Sequence, residues 1–371
     1  MPTSKERIRR IINRQPVDRI GLFEVFWKEA QERWSAEGHF AKPEMAADHF
    51  GLDLRRTGGE VTPVAWGLIN LVANLDAGDQ VIEETETTKL VRNGNGAVLR
   101  WGKGRGSAAE HVDFLVKNRK DWQEHIRPHL VDSRNYARRI DFDRYRETLA
   151  ETARKQTFLC STVLGAFDAM NALCGHECTL VAMAMDPDWV RDMCEVYATV
   201  VIDMLEILYA QEGLPDALWV WDDLGFKRRP FMSPGMYREM IMPAHKRLMD
   251  FARGKGLPVV LHCDGLVESL IPHLIEAGVS CLQPIEIKAG MDLLRIKKDF
   301  GDKLALIGGM NVLTLLSNNL DQVRRELEAK LPGVMAGSGY ILQVDHSCPG
   351  QVNYETYKYF VETGLKLGTY K

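Results

Sequence analysis

The chain lacks the marks of several functional classes, and each absence narrows what it can be. No apolar run approaches the ~20 residues that a membrane-spanning helix needs, so no segment is read as crossing a bilayer. Met1 to Arg14 alternates charge with isoleucine and holds no apolar signal core, so no secretion signal is read. There is no long basic block, and the formal net charge is −4, so the basic face that nucleic acid requires is missing. The 7 cysteines are odd in number and scattered, which favours reduced thiols in the cytoplasm over a disulfide framework. No repeat of the solenoid kind, with a period of ~20–50 residues, is visible. No glycine-rich dinucleotide turn follows the first strand candidate.

What is present is an ordinary globular composition over 371 residues, 45% hydrophobic and 26% charged, enough for a large core. Thr3-Ser-Lys-Glu6 is a capping-box pattern, and Ile8, Ile11 and Ile12 follow at helical spacing, so a short helix opens the chain and stops before Pro16. Residues 19–26 read as a first buried strand. The stretch 80–102 alternates through Val81-Ile-Glu-Glu-Thr-Glu, turns at Asn93-Gly-Asn-Gly96 and resumes at Ala97, which predicts a β-hairpin insertion over one end of the fold.

The second half alternates regularly. Strands are predicted at 157–163, 218–221, 259–262, 281–285, 304–307 and 339–344. Between them lie helices, of which two open with a cap followed by proline, at Asp186-Pro187 and Ser233-Pro234. Strict alternation at this spacing means a parallel sheet, and strands apolar on both faces mean one covered on both sides. So many consecutive units predict a closed (β/α)8 TIM barrel, which routinely uses ~250 residues or more as one domain. The whole chain, 1–371, is accordingly read as a single barrel domain with an N-terminal helical extension and the hairpin insertion.

In such a barrel, catalytic groups sit where the strands end, because the following loops converge on one mouth. Here consecutive strands end in Asp222-Asp223, His262-Cys263-Asp264-Gly265, Glu286, Gly308-Gly309 and Asp345-His346-Ser347-Cys348. An Asp after a strand can simply cap the next helix. That reading explains any one carboxylate but accounts less well for the histidines. His262 and Asp264 lie two apart and project to one side, and His346 comes from another strand, with Cys263 and Cys348 near in sequence. Two imidazoles and a carboxylate with one open position make a usual catalytic zinc set. The alternative is that these groups bond one another, or a substrate, without metal. Cys174-Gly-His176-Glu-Cys178 looks like a further ligand cluster, but it lies in a helix-like stretch that would put the cysteines on one face and His176 on another, so core packing is expected. Gly308-Gly309 could cradle an anion at the next helix start, although a tight turn is the plainer role. Trp219 and Trp221 read as core or pocket wall.

At these motifs the chain resembles the uroporphyrinogen decarboxylase-like superfamily over nearly its whole length. The carriers are Asp222-Asp-Leu-Gly-Phe-Lys-Arg-Arg-Pro-Phe-Met-Ser-Pro234, Leu261-His-Cys-Asp-Gly265, Gly290-Met-Asp292, Leu306-Ile-Gly-Gly-Met310, and Asp345-His-Ser-Cys-Pro-Gly350 with Tyr354-Glu355. The resemblance implies a (β/α)8 barrel, often dimeric, with one of two chemistries. One is cofactor-free decarboxylation of a porphyrinogen. The other is methyl transfer between a corrinoid and a thiol or another methyl substrate, using zinc. True decarboxylases carry an arginine-rich segment near the first strand that holds propionates, and here that place reads Leu22-Phe-Glu-Val-Phe-Trp-Lys28, with no arginine. Counting on from Phe50-Gly-Leu-Asp53, Glu60 falls where the decarboxylases place their catalytic aspartate. In the methyltransferases the zinc motif is His-x-Cys with a later Cys. Here His262 matches the histidine, while Asp264 and His346 take the places of the cysteines, which would leave a more Lewis-acidic metal.

Three functions follow. The first is a methyltransferase or demethylase whose metal polarises a methoxy or methylamine atom or ionises a thiol, with Glu60, Asp222, Asp223 or Glu286 and His346 as the acid–base groups. Its corrinoid (cobalamin) would come on a partner protein, since the chain shows no cobalamin-binding module. The second is a decarboxylase of a less anionic substrate. The third is a binding protein that has lost chemistry, which the density of ionisable groups at the mouth disfavours. The first is the expectation, with a small methylated substrate and a homodimeric, cytoplasmic protein.

Overall fold

Thr3 and Glu6 form the capping box, each side chain meeting the other's backbone N–H, and helix Ser4–Ile12 follows. The computed structural model of the chain describes residues 1–57, 68–103 and 109–370. Ile8, Ile11 and Ile12 are fully buried, so this helix plugs one end of what comes next.

Eight strands form one all-parallel sheet: β1 (Gly21–Leu22), β2 (Leu54–Arg56), β3 (Phe158–Leu164), β4 (Ala217–Trp221), β5 (Val259–His262), β6 (Cys281–Gln283), β7 (Ala305–Ile307) and β8 (Tyr340–Leu342). The order is β1-β8-β7-β6-β5-β4-β3-β2. The ring closes between β1 and β2 through Asp53. Its N–H donates to the Leu22 carbonyl at 2.9 Å, and its carboxylate accepts from the Leu22 N–H at 3.0 Å. Arg7 and Arg19 hold that buried carboxylate at 2.9 and 2.7 Å. This is the expected (β/α)8 barrel. The one strand unread in the sequence is β2, whose three residues are too short for periodicity to show.

Alternation along the strands divides the apolar residues into two clusters. The smaller takes every second residue: Leu54, Phe158, Cys160, Ala217, Trp219, Val260, Cys281, Ala305, Ile307 and Ile341, with Phe23 and the N-terminal isoleucines. These fill the barrel lumen. The larger cluster packs the outward faces against the helices.

The insertion is larger than a hairpin. Strands Thr88–Arg92 and Val98–Gly102 pair across the Asn93–Gly96 turn as expected, but Gln80–Glu84 and Glu110–Asp113 extend them to a four-stranded antiparallel sheet. Gln80–Glu84 is set apart by a second turn at Thr85 to Thr88, closed by threonine hydrogen bonds, which a reading based on Asn-Gly chemistry passes over. The stretch around Cys174 also departs from expectation. Gly175 sits at φ 77° and breaks the helix there, and a Cβ on it would meet Phe114 at 2.6 Å. Cys174 packs against Met170 and Thr179, and His176 stacks on Phe231 with ring centroids 4.7 Å apart. Cys174 is packed in the core as expected, while His176 stacks at the exposed surface, without the continuous helix the spacing suggested. No helix among the described residues is long and apolar enough to cross a membrane.

Candidate active site and metal centre

Two residues beyond the apolar layer, the lumen-facing positions change character. β2 presents Arg56, β4 Trp221, β5 His262 and β6 Gln283, and Gln343 follows β8. His262 is held from behind by a relay of amides. Its Nδ1 lies 2.5 Å from Gln283 Oε1, Gln283 Nε2 donates to Gln343 Oε1 at 2.9 Å, and Gln343 Nε2 reaches Glu24 Oε1 at 3.4 Å. Glu24 also accepts from the N–H groups of Val25 and Val344 and from the Tyr357 hydroxyl. With every amide donating toward Glu24, Gln283 turns its oxygen to the imidazole, and Nδ1 must carry the proton. Nε2 is then a bare lone pair.

That lone pair faces Asp223 Oδ1 at 3.5 Å and Asp264 Oδ2 at 3.8 Å. Nε2 itself and Asp264 Oδ1 are buried with no hydrogen-bond partner. Trp221 lies over the imidazole with ring centroids 3.6 Å apart. Burial pushes the His262 imidazole down to about 3, so it is neutral at physiological pH. Burial and the neighbouring Asp222 and Glu286 push the Asp223 carboxyl up to about 7, against a hydrogen bond from the Asp264 N–H. Asp264 is raised well above the usual carboxylate range by burial, Asp223 and Glu286. Three acceptors thus converge, and the donors that reach them, the Asp264 N–H and the Trp221 side chain, both go to Asp223. The ligand atoms of the three all lie within 4.8 Å of one another, the one such group found among the described residues. An arrangement of acceptors alone is repulsive unless a proton or a cation sits among them. A nitrogen and two oxygens, with the imidazole oriented by a hydrogen-bonded second layer, suit zinc or another divalent ion.

The structure sorts the residues singled out in the sequence. His346 stands at the rim, its Nε2 3.9 Å from Asp264 Oδ2, in reach of a fourth position. Asp223, read as an acid–base group, lies with His262 and Asp264 in the candidate ligand group. Asp222 points away from this group. It accepts from the Asp168 N–H at 2.7 Å at the start of helix Ala166–Met185 and from His245 Nε2 at 2.6 Å, and Tyr237 holds the other side of His245. It is a buried anchor with its oxygens engaged. Glu286 accepts from the Gly265 N–H at 2.6 Å and pairs with Lys288 at 3.3 Å. Cys263 accepts from the Leu224 N–H at 3.1 Å, and burial raises its thiol far above the usual range. Cys348 is buried beside the Phe26 bridge and is raised in the same way. Neither thiol joins the ligand group, because each is packed behind the wall that carries it.

Gly308 and Gly309 spend their N–H groups on Ile341 and Pro284 carbonyls at 3.2 and 2.9 Å. A Cβ on Gly308 would fall 1.9 Å from the Pro284 oxygen, so close approach of two loops explains the glycine. The turn leaves no free amides for an anion. Glu60 lies outside the described residues. Unread in the sequence were Gln283, Gln343 and Glu24. Gln283 could have been found, because it falls two residues after the lumen-facing Cys281 on one strand. Glu24 carried no such signal, since only the fold brings it to Gln343.

The uroporphyrinogen decarboxylase (URO-D) family matches residues 137–366, more than half of the chain. A methylated-thiol–coenzyme M methyltransferase from Methanosarcina mazei is 27% identical over 90 residues, which are 24% of this chain and 22% of that relative. The chain thus aligns with less than a quarter of the curated relative's length. The solved structure of a methyltransferase from Methanosarcina mazei superposes with a TM-score of 0.65 at 16% identity, covering 98% of each chain. That likeness is one of fold.

Proposed function

The chain belongs to the uroporphyrinogen decarboxylase (URO-D) family, and from that premise we propose that it is a metal-assisted methyltransferase, moving a methyl group between a small methylated substrate and a corrinoid or thiol. The observation that carries the reading is the buried group of Asp223, His262 and Asp264, three acceptors with a bare Nε2 between two carboxylates. These residues would hold the ion, with His346 at the open side. When bound, zinc supplies Lewis acidity to the heteroatom that carries or accepts the methyl group.

The chain's own residues do the rest. The Gln283–Gln343–Glu24 relay keeps Nδ1 protonated and Nε2 free. Trp221 covers the imidazole and excludes water from one side. Asp168 lies next to the group, accepting from the Asp223 N–H at 3.1 Å, and burial with its neighbours Asp223 and Asp222 holds its carboxyl well above the usual range. That upward shift suits it to the role of a proton donor to a leaving heteroatom. The corrinoid would be brought by a partner protein, and a cytoplasmic homodimer completes the reading. Similarity to a methyltransferase supports this branch of the family. The decarboxylating branch is disfavoured by Leu22 to Lys28, which offers no arginine to propionates.

The test is demethylation of methoxy, methylthio and methylamino compounds in the presence of zinc and a corrinoid protein, followed by the corrinoid absorbance. His262→Ala and His346→Ala should abolish turnover while circular dichroism stays unchanged. Full activity in both variants would overturn the metal mechanism.

A further inference from the structure

The buried cations of the described residues have their charges answered. Arg7 pairs with Asp18 and Asp53. Arg139 donates to the carbonyls of Asn70, Ala73 and His129 at 3.1, 3.2 and 3.0 Å. Lys297 meets the Ser338 carbonyl. Arg55, the residue before Arg56, pairs on the outer side of β2 with Asp48 at 2.7 Å. Arg56, half-buried, differs. It faces the lumen, one strand position from Arg55, and no carboxylate or carbonyl among the described residues accepts from it. Its guanidinium lies over Trp221 and Trp219, with the central carbon 5.0 and 5.8 Å from the ring centroids. Aromatic faces hold a guanidinium flat and leave its N–H edge free. Burial lowers Arg56 only to about 10, so it stays charged at neutral pH.

Trp221 touches both Arg56 and His262, so the charge stands one indole away from the Asp223–His262–Asp264 group. The mouth is bipolar. One side gathers acceptors that call for a cation, and the other presents a lone guanidinium that calls for an anion. A desolvated charge without a partner is costly, and a planar fork with a free edge suits a two-oxygen acceptor. We infer that Arg56 is an anion-binding residue of the active site, and that the methylated substrate carries a compact oxyanion, a carboxylate or a sulfonate, seated on it. This rests on the site reading above, with the methyl-bearing atom toward His262 and the oxyanion toward Arg56.

Binding can be measured without corrinoid and without turnover. Methoxyacetate, 2-methoxyethanesulfonate and the uncharged methoxyacetamide are titrated at constant ionic strength, by calorimetry and by the fluorescence of the tryptophans under Arg56. We expect at least one anion to bind about tenfold or more tightly than methoxyacetamide, a difference of about 1.4 kcal/mol. Which anion is preferred separates carboxylate from sulfonate. Arg56→Gln should erase the preference, and Arg56→Lys should keep part of it by retaining charge without the fork. Equal binding of charged and uncharged compounds, no binding of either anion, or a preference that survives Arg56→Gln would overturn the assignment. The outcome is independent of the metal reading. His262→Ala should lose metal yet keep the anion preference, so failure of one claim leaves the other readable.

Discussion

Two layers of the same barrel lumen differ by two residues along the same strands. The lower holds Leu54, Trp219, Val260, Cys281 and Ile341, all buried and apolar. The upper holds Arg56, Trp221, His262, Gln283 and Gln343, of which four are polar. In the lower layer Trp219 packs on Phe23 with ring centroids 5.3 Å apart, and nothing there can hold a proton usefully. That dry floor is what makes the upper layer chemically active. It lowers the local dielectric, which keeps His262 neutral and pushes carboxylates such as Asp223 and Asp264 upward. One layer sets stability and the next sets chemistry, although both belong to the same strand faces.

The largest effect that would break this division is at the floor. Trp219→Ala removes a fully buried indole and should cost about 3–5 kcal/mol of unfolding free energy, read by urea denaturation. A loss below about 1 kcal/mol would mean that the floor is not a packed layer. Gln283→Leu tests the mouth. Losing the relay frees the imidazole to take the wrong tautomer, and metal affinity should fall about 10–100-fold in a chelator competition. Its cost in stability, about 1–3 kcal/mol for buried groups left without a partner, should stay below that of Trp219→Ala.

The smallest effect sharpens the electrostatics. In the metal-free protein the Asp223 carboxyl titrates at about 7, against an ordinary value of 3.8, so folding takes up a proton between those values. That contribution is complete below 3.8 and lost as pH rises through 7. His262 runs the other way, its folded value of about 3 lying under the usual 6.5, so its contribution is lost as pH falls through that window. Asp223→Asn should therefore raise the Tm of the metal-free protein at about pH 8 and leave it unchanged near pH 4. Equal Tm differences at both values would remove Asp223 from the buried cluster.

The barrel was legible because its helices carry caps and its strands are continuous apolar runs. Asp186-Pro187 opens a helix that runs to Glu212, and Tyr354–Leu367 has the expected ends. The N-terminal half was less so. β2 has three residues, and a second turn, of threonines, precedes the Asn-Gly turn that the sequence shows. Within the site, His262 and Asp264 could be read from two-residue spacing at a strand end. The roles of Asp222 and Asp223 could not be separated that way, since adjacent residues point to opposite sides and only the packing of His245 shows which one faces inward. Cys263 and Cys348 looked like ligands by residue type. Their thiols are buried behind the wall, which sequence distance does not reveal. Arg56 had no signal at all, because an arginine becomes notable only when its partner is missing.

The central claim is that Asp223, His262 and Asp264 form a metal centre. Elemental mass spectrometry of the purified protein, beside His262→Ala, tests it most directly. The account predicts near-stoichiometric zinc or another divalent metal in the wild type, lost in the variant. No metal in the wild type even after zinc is supplied, or equal metal in both, would contradict it.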